Sequence, residues 1–460
     1  MEQLTVILRQ HTPMIHFQHN ESRATLRASE VKPRLDKFII EHDKEHEKSD
    51  FNYWKQYLIG YRIIPDGDLQ SKFEQTRKPY RALNYKIRIE PQGEAEYKIP
   101  IKQIKGKYRT NIYGEDFPFL LSNMEGKENM DDLINFSYYR TIMIHFSSPK
   151  KIVKDLLKQY IEYFFVRNNF GQRKTKGFGS FTVIDIIDGE ISQDLHTIEE
   201  MLPKRTPFML FRLEHRNEFI DRQYTLFKVL DYYWKCLKSG VNYTKGNEKL
   251  YKRYQKSFLF KYLNNYLDEG NTWEKRAIKQ HFNLVADDRD IEENYNTPTF
   301  ARALLGAPDK FEYKNKESVV TIKHAEENKE RRIARIPSPI IFKPIITDEG
   351  EVKIYIIFDP NIRRELRQTD NLEFIFTLIA NQHSIDRYQL VQNPKKLSIE
   401  IECIDSYRKL ITTFHKSLNN KMIPRNFFWK NILENAPSNG KPSSNNGNKQ
   451  SANYVTFHTT

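Results

Sequence analysis

The stretch Tyr138–Ile187, YYRTIMIHFSSPKKIVKDLLKQYIEYFFVRNNFGQRKTKGFGSFTVIDII, decides the fold because its hydrophobic pattern is the most regular in the chain. β-Branched residues in 138–146 and 181–187 predict two strands. Four apolar residues between them recur at i+4 spacing: Ile152, Leu156, Tyr160 and Phe164. This spacing predicts a helix over 148–165 with one buried face. The basic, glycine-rich segment RKTKGFGS, residues 173–180, is therefore a predicted helix-to-strand connection.

The residues before this stretch predict a first strand, a first helix and a pair of strands. LTVILRQ, 4–10, has the pattern of a strand, and SEVKPRLDKFII, 29–40, predicts a helix that begins near Ser29. Residues 42–80 are polar with aromatic islands, and 84–105 predict two strands joined at a Pro-Gln-Gly turn.

A second set of elements begins near residue 208. The predicted strands are 208–216, 331–345, 353–358 and 397–403, and the predicted helices are 219–238, 371–382 and 406–418. Strand, helix, strand, strand, helix, strand is the split βαβ order of a ferredoxin-like sandwich. Residues 240–310 are expected to be a helix-rich insertion, in which LYKRYQKSFLFKYL, 250–263, predicts a helix with a basic face. The Ser-, Asn- and Gly-rich tail at 435–460 is expected to be disordered.

The composition favours a cytoplasmic protein with a polyanionic partner. The length of 460 residues predicts two domains. A net charge of +14 and a pI near 9.3 suit nucleic acid, although a basic surface also serves solubility alone. Only two cysteines occur, Cys236 and Cys403, which excludes a disulfide framework and a thiolate zinc site. The chain lacks a basic leader and an apolar run of about 18 residues, so neither secretion nor a membrane span is predicted.

The glycine-rich segment fits neither of two common nucleotide-binding motifs. A Walker A loop ends in Gly-Lys-Ser/Thr, and Phe178 stands where that lysine would be. A dinucleotide-binding loop follows a strand and precedes a helix, which is the reverse of the order predicted here. KGFGSFTV also resembles part of an RNA-recognition signature, but Ser180 is inserted. Two interpretations stay open: a backbone nest for a nucleic-acid phosphate flanked by Arg173, Lys174 and Lys176, or a glycine turn with solvated charges.

The first predicted helix carries a second basic cluster, Arg27, Lys32, Arg34 and Lys37. A helix N-terminus favours an anion because its first N–H groups are unpaired and the macrodipole is positive there. The cluster is therefore a candidate for phosphate contact, and a solvated basic face is the equally favoured alternative.

Histidines and carboxylates are candidates for catalysis or metal binding. His11 or His16 could be the general base of a metal-independent ribonuclease, and His42 with His46 could ligate a metal from one helical face. The carboxylate cluster ADDRD, 286–290, could bind Mg²⁺. None of these residues has the partner groups that such a site needs, so ordinary polar roles are favoured. No catalytic residue, metal site or cofactor is predicted.

Four short motifs occur in order along the chain: Thr12-Pro13, Arg27–Ser29, Lys176–Ser180 and, within RRIARIPSPIIFKPI, Ser338-Pro339. Together they resemble the RAMP superfamily of CRISPR-associated RNA-binding proteins. The last motif resembles a strand in the second half of the first-numbered subunit of the type III-B Cmr effector complex. The resemblance implies an α+β fold of two tandem ferredoxin-like, RRM-like RAMP domains. They would span 1–203 and 204–434, with the insertion in the second domain.

The same resemblance implies a non-catalytic RNA-binding subunit of a type III-B CRISPR effector in antiviral defence. Its implied partners are guide RNA, target RNA and other RAMP subunits, with no membrane. Carried over residue by residue, it implies RNA contact by Arg27, Lys32, Arg173, Lys174, Lys176, Gly177 and Gly179, and Arg34, Phe178 and Ser180 complete the candidate set. Two alternatives stay open: a metal-independent endoribonuclease of this superfamily that processes guide RNA, and a subunit that acts mainly through protein contacts.

Overall fold

The computed structural model of the chain describes the following residues: 1–15, 25–43, 50–75, 81–93, 97–98, 101–104, 107–110, 137–213, 219–244, 252–266, 271–273, 296–299, 301–306, 310–313, 318–326, 329–331, 338–358, 372–380, 383–392, 404–419 and 456–459. They form a mixed α/β protein with antiparallel sheets. No helix among them is both long enough and apolar enough to span a bilayer.

The first half of the chain alternates strands and helices as expected. Its strands are β1 (Glu2–Gln10), β2 (Lys86–Pro91), β3 (Tyr97–Lys98), β4 (Ile101–Ile104), β5 (Lys107–Thr110), β6 (Ser137–Tyr138), β7 (Thr141–Ser148), β8 (Phe181–Asp188) and β9 (Ile191–Ser192). Its helices are α1 (Ala28–His42), α2 (Phe51–Trp54), α3 (Asp66–Glu74), α4 (Lys151–Arg167) and α5 (Ile198–Met201). The predicted strands at 4–10, 138–146 and 181–187 and helices at 29–40 and 148–165 are confirmed, whereas α2 and α3 were missed in the segment interpreted as polar.

Five of these strands form an antiparallel sheet in the order β2-β7-β1-β8-β9. Val6 in the central strand lies opposite Ile144 on one side and Ile186 on the other, and all three are fully buried. Alternate residues of β1 are buried because successive side chains of a strand point to opposite faces of the sheet. Helices α1 and α4 cover this apolar face, where the rings of Phe38 and Phe164 meet edge to face at 5.6 Å.

The buried face of α4 differs from the predicted stripe at one position. Leu156, Tyr160 and Phe164 are buried, but Ile152 is 38% exposed. Each i+4 step drifts by about 40° around a helix of 3.6 residues per turn, so Ile152 lies about 120° from Phe164. Val153 occupies the core in its place.

The second half of the chain contains a second antiparallel sheet of four strands, an antiparallel sheet of five strands and smaller two-stranded sheets. Its strands are β10 (Pro207–Arg212), β11 (Val241–Thr244), β12 (Lys252–Gln255), β13 (Asn271–Trp273), β14 (Asn296–Thr299), β15 (Lys310–Tyr313), β16 (Ser318–Glu326), β17 (Lys329–Arg331), β18 (Ile340–Ile346), β19 (Glu351–Phe358), β20 (Leu372–Ala380), β21 (His383–Gln392) and β22 (Thr456–Thr459). Its helices are α6 (Phe219–Trp234), α7 (Phe258–Tyr266) and α8 (Ile404–Asn419). The second sheet has the order β18-β19-β10-β22.

Three predictions for this half need correction. The predicted helix at 371–382 is the strand β20, which pairs with β16 and β21. The predicted helix at 250–263 is divided, because Lys252–Gln255 form a strand and a helix begins only at Phe258. The described part of the insertion is accordingly a mixture of strands and helices rather than helix-rich.

The end of the chain contributes a strand where a disordered tail was expected. Thr456–Thr459 pair with β10, and His458 lies opposite Phe208. The predicted strand at 397–403 and the rest of the predicted tail lie outside the described residues.

The chain divides into two compact units that are interleaved in sequence. The first contains 1–227, 342–357 and 436–460, and the second contains 228–341 and 358–435. The glycine-rich loop and most of β18 belong to the same first unit.

Candidate nucleic-acid interface

The glycine-rich loop, residues 171–180, joins the end of α4 to the start of β8 and lies against Thr12-Pro13. The N–H of Gly179 donates to Pro13 O at 2.9 Å, and Thr12 Oγ1 donates to Gly177 O at 2.7 Å. The same Thr12 oxygen accepts the N–H of Ser180 at 3.0 Å. The Thr-Pro motif and the glycine-rich motif are therefore two sides of one hydrogen-bonded structure.

The glycines of the loop allow close approach of protein backbone, not only of a ligand. A Cβ on Gly179, which has a φ of +64°, would lie 2.0 Å from Phe170 O. A Cβ on Gly171, with a φ of +77°, would lie 2.6 Å from Ile15 O. Any side chain larger than hydrogen would therefore displace the loop.

The structure gives the backbone of Gly177 and Gly179 a different role from the expected phosphate nest. The N–H of Gly177 donates to Lys174 O at 3.3 Å, and that of Gly179 donates to Pro13 O. Both glycines are buried. These two N–H groups hold the loop together and are not available to a phosphate, so Arg173, Lys174 and Lys176 stay as the candidate anion contacts of the loop.

Those side chains stand on a short 3-10 turn, Lys174–Lys176. Two left-handed residues bracket the turn: Arg173 with a φ of 52° before it and Gly177 with a φ of 91° after it. A non-glycine residue in this region costs roughly 1–3 kcal/mol, and such strain concentrates at functional sites. Lys174 is exposed, and Arg173 and Lys176 are half-buried. The turn presents three cations on one small, constrained segment.

Phe178 and Ser180 point inward. The ring of Phe178 is fully buried and stacks on Phe227 with centroids 4.0 Å apart. Ser180 is also fully buried, and its Oγ donates to Pro344 O at 2.6 Å. Neither side chain is accessible to a base or a phosphate, so both support the loop from beneath.

Two basic residues of α1, Lys32 and Arg34, are engaged in the fold. Lys32 Nζ donates to Leu83 O at 2.6 Å and to Asp36 at 3.1 Å, and it lies 3.5 Å from the centre of the Tyr85 ring. Burial lowers the pKa of Lys32 and raises the pKa of Asp36 to about 6, although each charge partly stabilises the other. Arg27 is half-buried at the N-cap of α1, and its side chain makes no capping hydrogen bond.

Arg34 and Glu30 connect α1 to the glycine-rich loop, two features that the sequence presents as separate. Arg34 donates to Asn168 Oδ1 at 2.7 Å and to Asn169 O at 3.0 Å. The Glu30 carboxylate accepts the N–H of Gly171 at 3.0 Å. The N-terminal half of α1 and the loop are therefore joined by hydrogen bonds, with Arg34 and Glu30 as the tethers.

The two candidate histidines that the structure describes, His11 and His42, have structural partners. The N–H of Ile346 donates to His11 Nδ1 at 3.1 Å, so Nε2 carries the proton and donates to Thr182 Oγ1 at 2.8 Å. Burial, with smaller contributions from Lys343 and Arg9, lowers the pKa of His11 well below its usual value.

Neither nitrogen of His11 offers a lone pair to a substrate. His42 is bonded through Nδ1 to Phe38 O, while His16, His46 and the cluster at 286–290 lie outside the described residues.

A cleft of about 510 Å³ lies beside His11, between β8, residues 195–201, β18 and β19. Its carboxylates are occupied by protein donors. Glu162 accepts the N–H of His196 at 2.9 Å, and Glu199 accepts the hydroxyl of Tyr355 at 2.5 Å. Among the described residues, no group of three or more His, Cys, Asp and Glu side chains could hold a metal ion.

Sequence reasoning missed the groups that hold the loop in place, notably Lys343 and Asn169. Lys343 is fully buried in β18, and Asn169 is 1% exposed. The available signal was a single lysine inside the apolar run IIFKPII, Ile340–Ile346. A buried charge in such a run requires dedicated partners.

Comparison with known proteins identifies two domain matches. Residues 1–241 match the family model described as the Cmr1 N-terminal domain, and residues 254–435 match that of the Cmr1 C-terminal domain. No curated protein matches this chain in sequence.

Three solved structures show weak similarity. An apo crystal structure of Cmr1 from Pyrococcus furiosus is 10% identical over 87% of this chain and 97% of that chain, with a TM-score of 0.27. A cryo-EM structure of the type III-B Cmr-beta bound to cognate target RNA contains a chain 9% identical over 89% of this chain and 98% of that chain, with a TM-score of 0.33. A structure described as a RAMP protein binding different RNA substrates is 9% identical over 79% of this chain and 91% of that chain, with a TM-score of 0.16. The family assignment therefore rests on the two domain models.

Proposed function

The chain belongs to the Cmr1 family, and from this premise we propose that it is a non-catalytic RNA-binding subunit of a type III-B Cmr ribonucleoprotein effector. It would bind the backbone of guide or target RNA and assemble with other RAMP subunits. The observation that carries the proposal is the constrained turn that holds Arg173, Lys174 and Lys176 beside the N-terminal half of α1.

Backbone contact fits these groups better than base readout. Lysine and arginine side chains can contact phosphates, and such contacts carry no sequence information. Phe178 is buried, so base stacking on this ring does not contribute. Arg27 remains a proposed contact, while Lys32, Arg34 and Ser180 would act by shaping the surface.

Two of the described sheets, the five-stranded sheet around β1 and the four-stranded sheet around β10, support tandem ferredoxin-like domains as the finer architecture. In the first, β1, α1, β2, β7, α4 and β8 follow one another, and the sheet order is β2-β7-β1-β8. In the second, β10, α6, β18, β19, α8 and β22 repeat that chain order, and the sheet order is β18-β19-β10-β22. The two orders correspond strand for strand. The boundaries at 203/204 and 434/435 stay a proposal.

A non-catalytic role is supported by the environment of His11. Both of its ring nitrogens are engaged, so it cannot accept a proton from a 2′-hydroxyl without breaking a buried hydrogen bond. Incubation of the purified protein with repeat RNA in EDTA tests this inference. Products with 2′,3′-cyclic phosphates would favour the endoribonuclease alternative.

RNA binding by the loop is tested with the double charge reversal Lys174→Glu/Lys176→Glu. The matched control is Lys72→Glu/Lys86→Glu, which changes the net charge equally at two exposed lysines on α3 and β2. Affinity for single-stranded RNA should be measured at several salt concentrations. The loop variant should bind about tenfold more weakly and lose roughly 1.4 from the log–log salt slope, since each neutralised phosphate contributes about 0.7.

The control should keep most of the affinity and slope. An unchanged affinity and slope in the loop variant would remove the loop from the interface. Absence of any RNA crosslink to this subunit in the assembled particle would favour the alternative of a protein-interaction subunit.

A further inference from the structure

Lys343 in β18 is a fully buried cation whose three donors all reach backbone carbonyls. Its Nζ donates to Phe165 O at 2.7 Å, to Asn168 O at 2.9 Å and to Phe181 O at 2.7 Å. An ammonium group has three N–H donors, so its hydrogen-bonding capacity is filled.

The acceptors lie at the two ends of the glycine-rich loop. Phe165 and Asn168 are at the C-terminal end of α4, where carbonyls lack helical partners and the macrodipole is negative. Phe181 is the first residue of β8, immediately after the loop. One ammonium group therefore joins the entry and the exit of the loop and neutralises the helix end.

The residues on either side of Lys343 hold the same two points. Asn169 Nδ2 donates to Phe342 O at 2.7 Å, at the loop entry. Ser180 Oγ donates to Pro344 O, at the loop exit. Asn169 Nδ2 also donates to Lys174 O at 2.7 Å, which links β18 directly to the basic turn.

The charge of Lys343 has no carboxylate partner among the described contacts, only carbonyl oxygens. Burial, with a smaller contribution from Arg34, lowers its pKa well below the usual value. A buried charge is costly unless it is fully hydrogen-bonded. An apolar residue in this position would leave the three carbonyls without the donor that joins them.

We propose that Lys343 is a positioning residue for RNA binding: it fixes the glycine-rich loop so that Arg173, Lys174 and Lys176 engage successive phosphates together. The inference rests on the proposed function, and it assigns a role in RNA binding to a residue that lies far from the loop in sequence. It requires that the effect of Lys343 on RNA affinity pass through the cations of the loop.

A double-mutant cycle on the full chain tests this requirement. Lys343→Met keeps the length of the side chain and removes its three donors. It is combined with Lys174→Gln/Lys176→Gln, which removes the loop charges. Lys353→Met is the control, because Lys353 lies on the adjacent strand β19 but makes half-exposed ion pairs with Glu199 and Glu351.

Lys343→Met alone should weaken binding to single-stranded RNA about tenfold and reduce the salt slope, because the loop cations no longer act together. In the loop-neutral background, the same substitution should change the affinity less than about twofold. Lys353→Met should leave both affinities nearly unchanged.

General destabilisation would instead lower the affinity equally in both backgrounds, which would overturn the proposal. So would wild-type affinity and slope in Lys343→Met. If Lys343→Met fails to fold, Ser180→Ala takes its place in the cycle. This variant loses the hydrogen bond from Ser180 Oγ to Pro344 O, which joins β18 to the loop exit, and its expected loss of RNA affinity is smaller.

The cycle also separates this inference from the proposed function. If Lys174→Gln/Lys176→Gln binds RNA as the wild type does, the loop is not the interface and the proposed function fails. If the loop variant is weakened but Lys343→Met is additive with it, only the role of Lys343 fails.

Discussion

Replacement of Gly179 by alanine should destabilise the protein far more than replacement of another left-handed glycine. The Cβ of the Gly179→Ala variant would lie 2.0 Å from Phe170 O, whereas real Cβ atoms essentially never come within 3.0 Å of another heavy atom. The loop would have to move by about 1 Å.

The cost can be worked from the contacts of Gly179. Its N–H donates to Pro13 O at 2.9 Å and its carbonyl accepts the N–H of Phe170 at 2.9 Å. A shift of about 1 Å breaks both bonds, at about 1 kcal/mol each, and leaves buried polar groups unpaired. The left-handed φ adds about 1 kcal/mol for alanine. The free energy of unfolding should therefore fall by roughly 3–4 kcal/mol.

Gly189→Ala is the matched control. Gly189 has a φ of +70°, but nothing lies within 4 Å of a Cβ built there. This variant should lose only the conformational cost, about 1 kcal/mol. Urea unfolding followed by circular dichroism measures both values. If the two variants differ by less than about 0.5 kcal/mol, the close approach of Gly179 to Phe170 does not constrain the loop and the reasoning is wrong.

Two buried groups should give the stability opposite dependences on pH. The pKa of Asp36 is raised to about 6, so its protonation stabilises the fold at low pH and this stability is lost as the pH rises through about 6. The expected loss of stability is roughly 3 kcal/mol, and Asp36→Asn should abolish it. Urea midpoints of the wild type and the variant should be measured between about pH 4 and 7. An equal fall in the two midpoints would contradict the prediction. The pKa of His11 is depressed, so its contribution is present above the unfolded value of about 6.5 and is lost as the pH falls below it. His11→Gln should lose less stability than the wild type between about pH 7 and 5, and a steeper loss in the variant would count against the buried neutral ring.

The first sheet could be predicted from the sequence because its signals are local. The alternation in 4–10 and the i+4 spacing in 148–165 each lie within one element. The order of motifs was also sufficient to indicate the family, which the domain matches then confirmed.

The errors arise where pairing partners are distant. Residues 371–382 contain a phenylalanine- and isoleucine-rich run that can be read with either period, and pairing with β16 and β21 makes it a strand. The strand at Thr456–Thr459 pairs with β10, which lies about 250 residues earlier in the chain. No local sequence pattern predicts a pairing partner at that distance.

The candidate site was predicted in part. The loop and its cations stand out in the sequence, and the structure brings them next to α1 through Glu30 and Arg34. What could not be predicted is which charges are committed to the fold. Lys32 and Lys343 are both lysines in amphipathic or apolar runs, and only the positions of carbonyl oxygens distinguish them from surface cations.

The hydrogen bonds from Lys343 in β18 to the two ends of the glycine-rich loop have a consequence for the order of events during synthesis. Lys343 follows Phe181 by 162 residues, which a ribosome adds in roughly 10–30 s. Throughout that interval, the first sheet can form while the glycine-rich loop lacks the ammonium group that joins its ends. A fragment that ends at residue 241, the limit of the first domain match, would contain the whole loop in that unfinished state. If Lys343 positions the loop as proposed, nascent chains would acquire a fully shaped loop only late in translation, and the proposed RNA binding would have to wait for residue 343.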